Sequence, residues 1–336
     1  MASGNDQLLA ESVRGLITSY HELNANCVDE LTEEPSPLEF TRYVAQNRPF
    51  VIRGGASSWK SNREWNAAYL KEAMAGQHVN VTITNRGNAD AIVEKSEEDG
   101  SSSLIFVEPF EREELFSDVV DRVRAQEACP DADVIRYAQT HPTEQKEEEE
   151  EEEEEADRKE GKKKENDNLR NEYSSLFADV PRDIPFARIA LQQCSTGPDA
   201  VNFWLGSSRS TTSLHKDNYE NIYVQVLGRK HFTLLPPVEA ACVNERPVPA
   251  ARYVPQKKKR RRDGEKEGEG EGEVQLLEEA DLRDLSVEMA HPPRTVNWAL
   301  WDPDLPDVRA TAFSTLSRPL RVSLEPGDML YLPAMW

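Results

Sequence analysis

Cysteine is sparse in this 336-residue chain, and the four that occur are scattered. Cys27, Cys129, Cys194 and Cys242 make no Cys-x-x-Cys pair, which excludes a zinc ribbon or finger and argues against a disulfide framework. Reduced, intracellular thiols are the expectation, with a cytoplasmic or nuclear location. Long apolar runs are also missing, and no stretch is long enough to cross a bilayer, so no membrane partner is expected. The first residues, Met1-Ala2-Ser3-Gly4-Asn5-Asp6-Gln7, lack the basic and apolar regions of a secretory signal. Basic residues are outnumbered: 40 Lys and Arg face 62 Asp and Glu, a formal net charge of -22. Neutralising phosphates needs Lys and Arg, so direct nucleic-acid binding is not expected. An acidic surface suits a basic protein segment instead.

Part of the charge is local. Residues 144–165 hold 13 acidic and 6 basic residues, including the unbroken run Glu147 to Glu155. Residues 257–273 hold 7 basic and 6 acidic, opening with Lys257-Lys258-Lys259-Arg260-Arg261-Arg262. Blocks of like charge repel themselves and bury no apolar surface, so inserts over 144–167 and 256–274 are expected to be disordered. The second basic run is read as a solvated insert or as a nuclear-import patch.

Elsewhere the spacing of apolar residues organises the chain. Leu8, Leu9, Val13, Leu16, Ile17, Tyr20 and Leu23 predict a helix over 6–25, and a second helix is expected near 37–46. Val51-Ile52 reads as a short strand, 78–84 as an alternating strand, and 110–125 as helical. Trp59 and Trp65 are expected to pack a helical layer. Strands are predicted near 201–205, 213–216, 220–227, 230–235, 320–324 and 328–332. Gly228 supplies a turn, so 220–227 and 229–235 read as a hairpin. The expected organisation is an N-terminal helix-and-strand region, 1–136, on a β domain, 137–336.

Chemistry concentrates in one region. His215 and Asp217 form a His-x-Asp pair, and a strand would place both on one face. One imidazole and one carboxylate are two of the three ligands of the 2-His-1-carboxylate triad, which leaves iron positions open. Fifteen residues on, Lys230 interrupts an apolar run, Lys230-His231-Phe232-Thr233-Leu234-Leu235. An inward Lys needs an anionic partner. The competing arrangement has Lys230 in solvent and His231 inward, and alternation alone does not choose.

Four segments carry a resemblance: Asn202-Phe203-Trp204-Leu205-Gly206, His215-Lys216-Asp217-x-Tyr219-Glu220-Asn221-x-Tyr223, Gly228-x-Lys230-His231-Phe232 and Leu330-Tyr331-Leu332-Pro333-Ala334-x-Trp336. With Asn47-Arg48-Pro49-Phe50-Val51-Ile52-Arg53-Gly54 and Ala89-Asp90-Ala91-Ile92 they resemble the JmjC (cupin-like) 2-oxoglutarate oxygenases. Within that family the chain is similar to a lysyl-hydroxylase branch for which a peptidase activity is also described. The resemblance implies a mainly β fold with a helical N-terminal layer (α+β): a double-stranded β-helix, or jelly roll, two strands short at its C-terminal end. It implies Fe(II), 2-oxoglutarate and O2 as cofactor and cosubstrates. His215 and Asp217 match metal ligands. Lys230 and Thr212 match groups that bind the distal carboxylate of 2-oxoglutarate, Asn221 and Tyr223 match positions lining that pocket, and Tyr137 matches a tyrosine supplied from before the barrel. In the family a distal His follows the last Trp by about two residues. Trp336 is the last residue here, and neither His231 nor His291 is a convincing substitute.

Three readings follow. The first is a protein hydroxylase, acting on a lysine in a basic segment by oxidative decarboxylation of 2-oxoglutarate. The second is a non-catalytic, JmjC-derived binding module, and the third a small-molecule-binding cupin, against which Lys230 with Thr212 argues. No Ser-His-Asp, Cys-His or His-Glu-x-x-His arrangement supports a peptidase. Self-association into a homodimer is left open. Joint deletion of residues 145–165 and 257–273 is expected to leave the melting temperature and 2-oxoglutarate binding nearly unchanged, since charge runs bury no apolar surface. A large fall in either, by thermal unfolding or calorimetry, would show the opposite.

Overall fold

The computed structural model describes residues 4–96, 100–129, 134–139, 167–191, 198–256 and 282–336. The two expected inserts lie outside the described residues except at their edges. There Asp167 is buried, its carboxylate accepting from the Val201 N–H at 2.9 Å and from Arg170 at 2.7 Å. The Gln256 N–H donates to Asp284 O at 3.1 Å. Residues 167 and 256 therefore belong to the folded body. Charge composition does not separate a partnered Asp from a solvated one.

The strands, in chain order, are β1 Asp29–Leu31, β2 Phe50–Ile52, β3 His78–Thr84, β4 Asn88–Ala89, β5 Ala91–Ser96, β6 Ser102–Glu108, β7 Phe110–Leu115, β8 Ile135–Ala138, β9 Leu205–Gly206, β10 Thr211–Thr212, β11 Asn221–Val224, β12 Lys230–Leu234, β13 Glu245–Pro255, β14 Leu285–Met289, β15 Thr295–Ala299, β16 Leu320–Leu324 and β17 Met329–Leu332. The longer helices are α1 Gly4–Leu23, α2 Pro37–Gln46 and, after β7, α3 Phe116–Ala128. α2 starts where its chemistry dictates. Ser36 caps it in a reciprocal box with Glu39, Pro37 occupies the first turn, and Asn47 closes it in the left-handed region at φ 49°.

Two facing layers form the heart of a jelly roll of the cupin type. One is the sheet β1-β2-β17-β11 and the other the pair β12-β16. Alternation along β16 is strict, with Leu320, Val322 and Leu324 buried and Arg321 and Ser323 exposed. Those side chains meet Val51, Leu234, Leu330 and Trp336 between the layers, with Tyr223, Phe232 and Leu332 beside them. The other face of β11 and β17 packs Ile222, Val224, Met329 and Tyr331 on Phe40, Phe50 and Ile52. Phe40 and Tyr331 meet edge to face at 4.8 Å. Each such burial is worth about 1.5–3 kcal/mol. Trp65 is buried in a separate core with Phe116, Tyr173 and Phe203, and Trp59 packs beside Phe40, as expected of a helical layer.

Several expectations need correction. Residues 220–227 and 229–235 are not a hairpin: β11 pairs antiparallel with β17, and β12 with β16. Gly228, at φ 66°, carries the chain from one layer to the facing one. Alternation identifies a strand's faces but not its neighbour. The segment 110–125 opens as β7, paired with β3, and turns helical only at Phe116. Of 201–205 only Leu205 is in a strand, and 213–216 is irregular. The sheet β14-β13-β6-β5, with β15 on the first half of β13, had no expectation. Prolines at 247, 249 and 255 masked β13; Pro247 and Pro249, two apart, share the edge away from β15.

One buried ion pair supports the second sheet, β7-β3-β8-β9. Arg136 on β8 reaches the Glu114 carboxylate of β7 at 2.8 Å, and both are buried. Burial pushes the Glu114 carboxyl up, but Arg136 and then Arg112 outweigh it and hold the group below its usual value. A depressed carboxyl contributes stability that is present above the ordinary glutamate range and lost as pH falls through the folded value. Arg136→Met is expected to cost about 1–3 kcal/mol in denaturant unfolding, because it removes the buried partner of Glu114 and leaves the carboxylate to the more exposed Arg112. Glu114→Gln is expected to flatten the acid limb of stability below about pH 4.

Candidate functional site

The site begins at a tight backbone approach. Gly87, at φ 75°, lies where a Cβ would stand 1.9 Å from the Arg209 carbonyl oxygen. That closeness lets the Thr211 N–H donate to Gly87 O at 2.8 Å and starts the parallel pairing of β10 with β4. The Ser213 hydroxyl then donates to the backbone oxygens of Ala89, at 3.2 Å, and Asp90. Asp90 is buried and in the left-handed region at φ 52°.

His215 and Asp217 follow on this irregular stretch, so strand alternation is not what joins them. A bend does. His215 Nδ1 lies 2.8 Å from Ser213 O, which can only accept, so Nδ1 carries a proton, and in the neutral ring the lone pair is on Nε2. His215 Nε2 stands 3.7 Å from Asp217 Oδ2, longer than a hydrogen bond. Their side chains are 40% and 59% exposed. The facing Asp217 side chain pushes the imidazole pKa up, and the imidazole holds the carboxyl below its usual value. An imidazole with Nδ1–H on a carbonyl, facing a carboxylate, is a donor set suited to a divalent cation. The two residues would suit two positions of a divalent-metal site. Among the described residues, no group of three or more His, Cys, Asp or Glu gathers to hold a metal.

Two neighbours brace the pair. The Met335 N–H donates to the backbone carbonyl of Asp217 at 2.7 Å, so the segment after β17 runs beside the backbone at Asp217. The Trp298 indole on β15 lies nearly parallel to the His215 ring, 12° apart with centroids 6.4 Å apart. Sequence reading missed Trp298. Its only signal was an apolar residue in a short stretch after the prolines at 292 and 293.

The second half of the site is on β12 and β8. Lys230, Phe232 and Leu234 alternate toward the core between the layers, while His231 faces out, its Nδ1 2.7 Å from Ser323 Oγ. Lys230 is thus the inward residue. Its Nζ donates to the Tyr137 hydroxyl at 3.1 Å and lies 5.4 Å from that ring's centroid. Tyr223 on β11 stands edge to face on Phe232 at 5.0 Å and stacks on Trp204 at 5.7 Å. Burial, with the Tyr137 hydroxyl next, pushes the Tyr223 phenol up, so it stays a neutral donor. Asn221 shares that face of β11 and is half-buried. The structure thus gathers Lys230, Tyr137 and Tyr223. Thr212 is exposed on β10 with no hydrogen bond to Lys230 or Tyr137.

Residues 35–336 match the Cupin-like domain family. The chain belongs to that family, in its JmjC branch. It is 30% identical to the human bifunctional peptidase and (3S)-lysyl hydroxylase JMJD7 over 311 residues, covering 92% of this chain and 78% of that protein. Against the lysine-specific demethylase JMJ32 of Arabidopsis thaliana it is 30% identical over 338 residues, 98% of this chain and 81% of the relative. Against JmjC domain-containing protein E of Dictyostelium discoideum it is 29% identical over 314 residues, 91% and 76%. JmjC proteins are typically 2-oxoglutarate-dependent oxygenases. The two relatives at equal identity carry different activities on lysine, so identity does not choose between them.

Gly87→Ala is expected to cost at least about 1–3 kcal/mol, from left-handed strain and the clash with Arg209. The denaturation midpoint reads it directly; an unshifted midpoint would show that the β4–β10 junction is not under this constraint.

Proposed function

We propose that this protein is an Fe(II)- and 2-oxoglutarate-dependent protein hydroxylase that acts on a lysyl side chain of a basic segment. The observation that carries the reading is the Lys230 ammonium on the Tyr137 hydroxyl, at the inner end of β12. An ammonium and a phenol O–H together offer a carboxylate one charge-assisted and one neutral hydrogen bond. Tyr223 and Asn221 line the same face, and Thr212 is proposed to join once a cosubstrate is present. His215 Nε2 and Asp217 would hold the metal, and iron with 2-oxoglutarate and O2 would supply oxidative decarboxylation coupled to C–H hydroxylation.

The residues of the chain have their own tasks. Ser213 O fixes the His215 tautomer. Lys230 and Tyr137 orient the cosubstrate by its distal end, and Phe232, Tyr223 and Trp204 keep water from it. The acidic body attracts a basic substrate. We place the protein inside the cell, in cytoplasm or nucleus, on its unpaired-cysteine pattern. A methyl-lysine demethylase is the second reading, favoured by the relative that carries that activity.

Lys230→Ala is expected to raise the 2-oxoglutarate requirement about tenfold or more, since a charge-assisted partner is lost. Succinate production against cosubstrate concentration measures it, and an unchanged requirement sinks the assignment. Asp217→Ala is expected to abolish turnover.

A further inference from the structure

We propose that Gly206 is a positioning residue, whose missing side chain lets the Tyr137 ring lie against β9 and keep its hydroxyl on Lys230. The inference rests on reading Lys230 and Tyr137 as the cradle for the distal carboxylate of a dicarboxylate cosubstrate.

Tyr137 and Gly206 are direct partners in the antiparallel pairing of β8 with β9. A Cβ on Gly206 would stand 2.8 Å from Tyr137 Cδ2, and 2.7 and 2.8 Å from Ser210 Oγ and Cβ. These are closer than carbon atoms pack. Gly206 is not among the residues of positive φ, so backbone freedom does not call for glycine here; space does. Ser210 is poorly placed to yield, because its Oγ accepts from the Ser207 N–H at 3.2 Å and donates to Arg136 O at 3.4 Å.

Tyr137 is held elsewhere too. It is buried, its carbonyl accepts from Thr82 Oγ1 at 3.0 Å, and its ring and hydroxyl both face Lys230 Nζ. With the backbone pinned, a methyl group at 206 is relieved by tipping the ring. Tipping takes the hydroxyl off Lys230 and removes one of the two donors of the cradle. A rigid ring between a glycine and a lysine thus sets where the carboxylate ends, and so the length of diacid that spans from there to the metal.

The test is a set of full-length variants in a Ser210→Gly background, which removes the second contact and leaves that with Tyr137. Two quantities are read for each: calorimetric affinity for 2-oxoglutarate with Mn(II), and melting temperature. Gly206→Ala is expected to weaken 2-oxoglutarate about tenfold and to lower the melting temperature by about 2–4 °C. In a Tyr137→Phe chain the ring remains but the hydroxyl is gone. There Gly206→Ala is expected to lower the melting temperature as before but to leave affinity within about twofold, because nothing is left to misplace. An affinity loss that persists with Tyr137→Phe overturns the proposal, as does an affinity that Gly206→Ala leaves unchanged in the Tyr137 chain. If the parent itself binds no 2-oxoglutarate, the cosubstrate reading falls and takes this inference with it. Parent binding combined with a persistent loss defeats the Gly206 role alone.

Discussion

The structure depends on the Asp328 carboxylate. It is buried where β17 begins, and it accepts from the Gly54 N–H at 2.9 Å, the Glu325 N–H at 3.0 Å and Arg53 Nη1 at 2.6 Å. Burial pushes the carboxyl up, but these donors outweigh it and hold it below its usual value. Through them β2, from the first sixth of the chain, is locked to β17 near the end, and β17 in turn holds β11. The Trp336 indole repeats the tie, donating to Asn47 at 2.8 Å to its carbonyl and 2.6 Å to Oδ1. The sheet β1-β2-β17-β11 therefore joins strands that lie far apart in the sequence. Asn221 and Tyr223, four and six residues past Asp217, inherit their positions from it.

The two groups of candidate residues differ in environment. The Lys230 end is aromatic and sheltered, where a single ammonium keeps most of its electrostatic strength and where a phenol is not ionised. The His215–Asp217 end is open, on an irregular segment held by hydrogen bonds to Asp90, Ser213 and Met335 rather than by a ladder. The chain as a whole is acidic, with a formal net charge of -22.

Much of the fold was legible in sequence because periodicity is local. α2 and the strands at 78–84, 320–324 and 328–332 were readable from apolar spacing and proline placement within a few residues. Lys230 and His231 were not separable that way. Either could face in, and only the core of Phe232, Leu234 and Val322 chose. Pairing was equally hidden, since a turn glycine does not say whether the chain folds back on itself or crosses to another layer. β13 was lost beneath its prolines, and with it Trp298.

By itself the sequence determined the elements, the acidic charge, the family and the residue types available for chemistry, because each depends on neighbours in the chain or on matched motifs. Tertiary structure decided the rest. It brought Tyr137 onto Lys230 across 93 residues, set Trp298 nearly parallel to His215, and joined His215 to Asp217 by a bend. Each of those contacts is set by the packing of distant strands against one another. No local pattern encodes that packing, because its energy belongs to surfaces that meet only after the chain has folded.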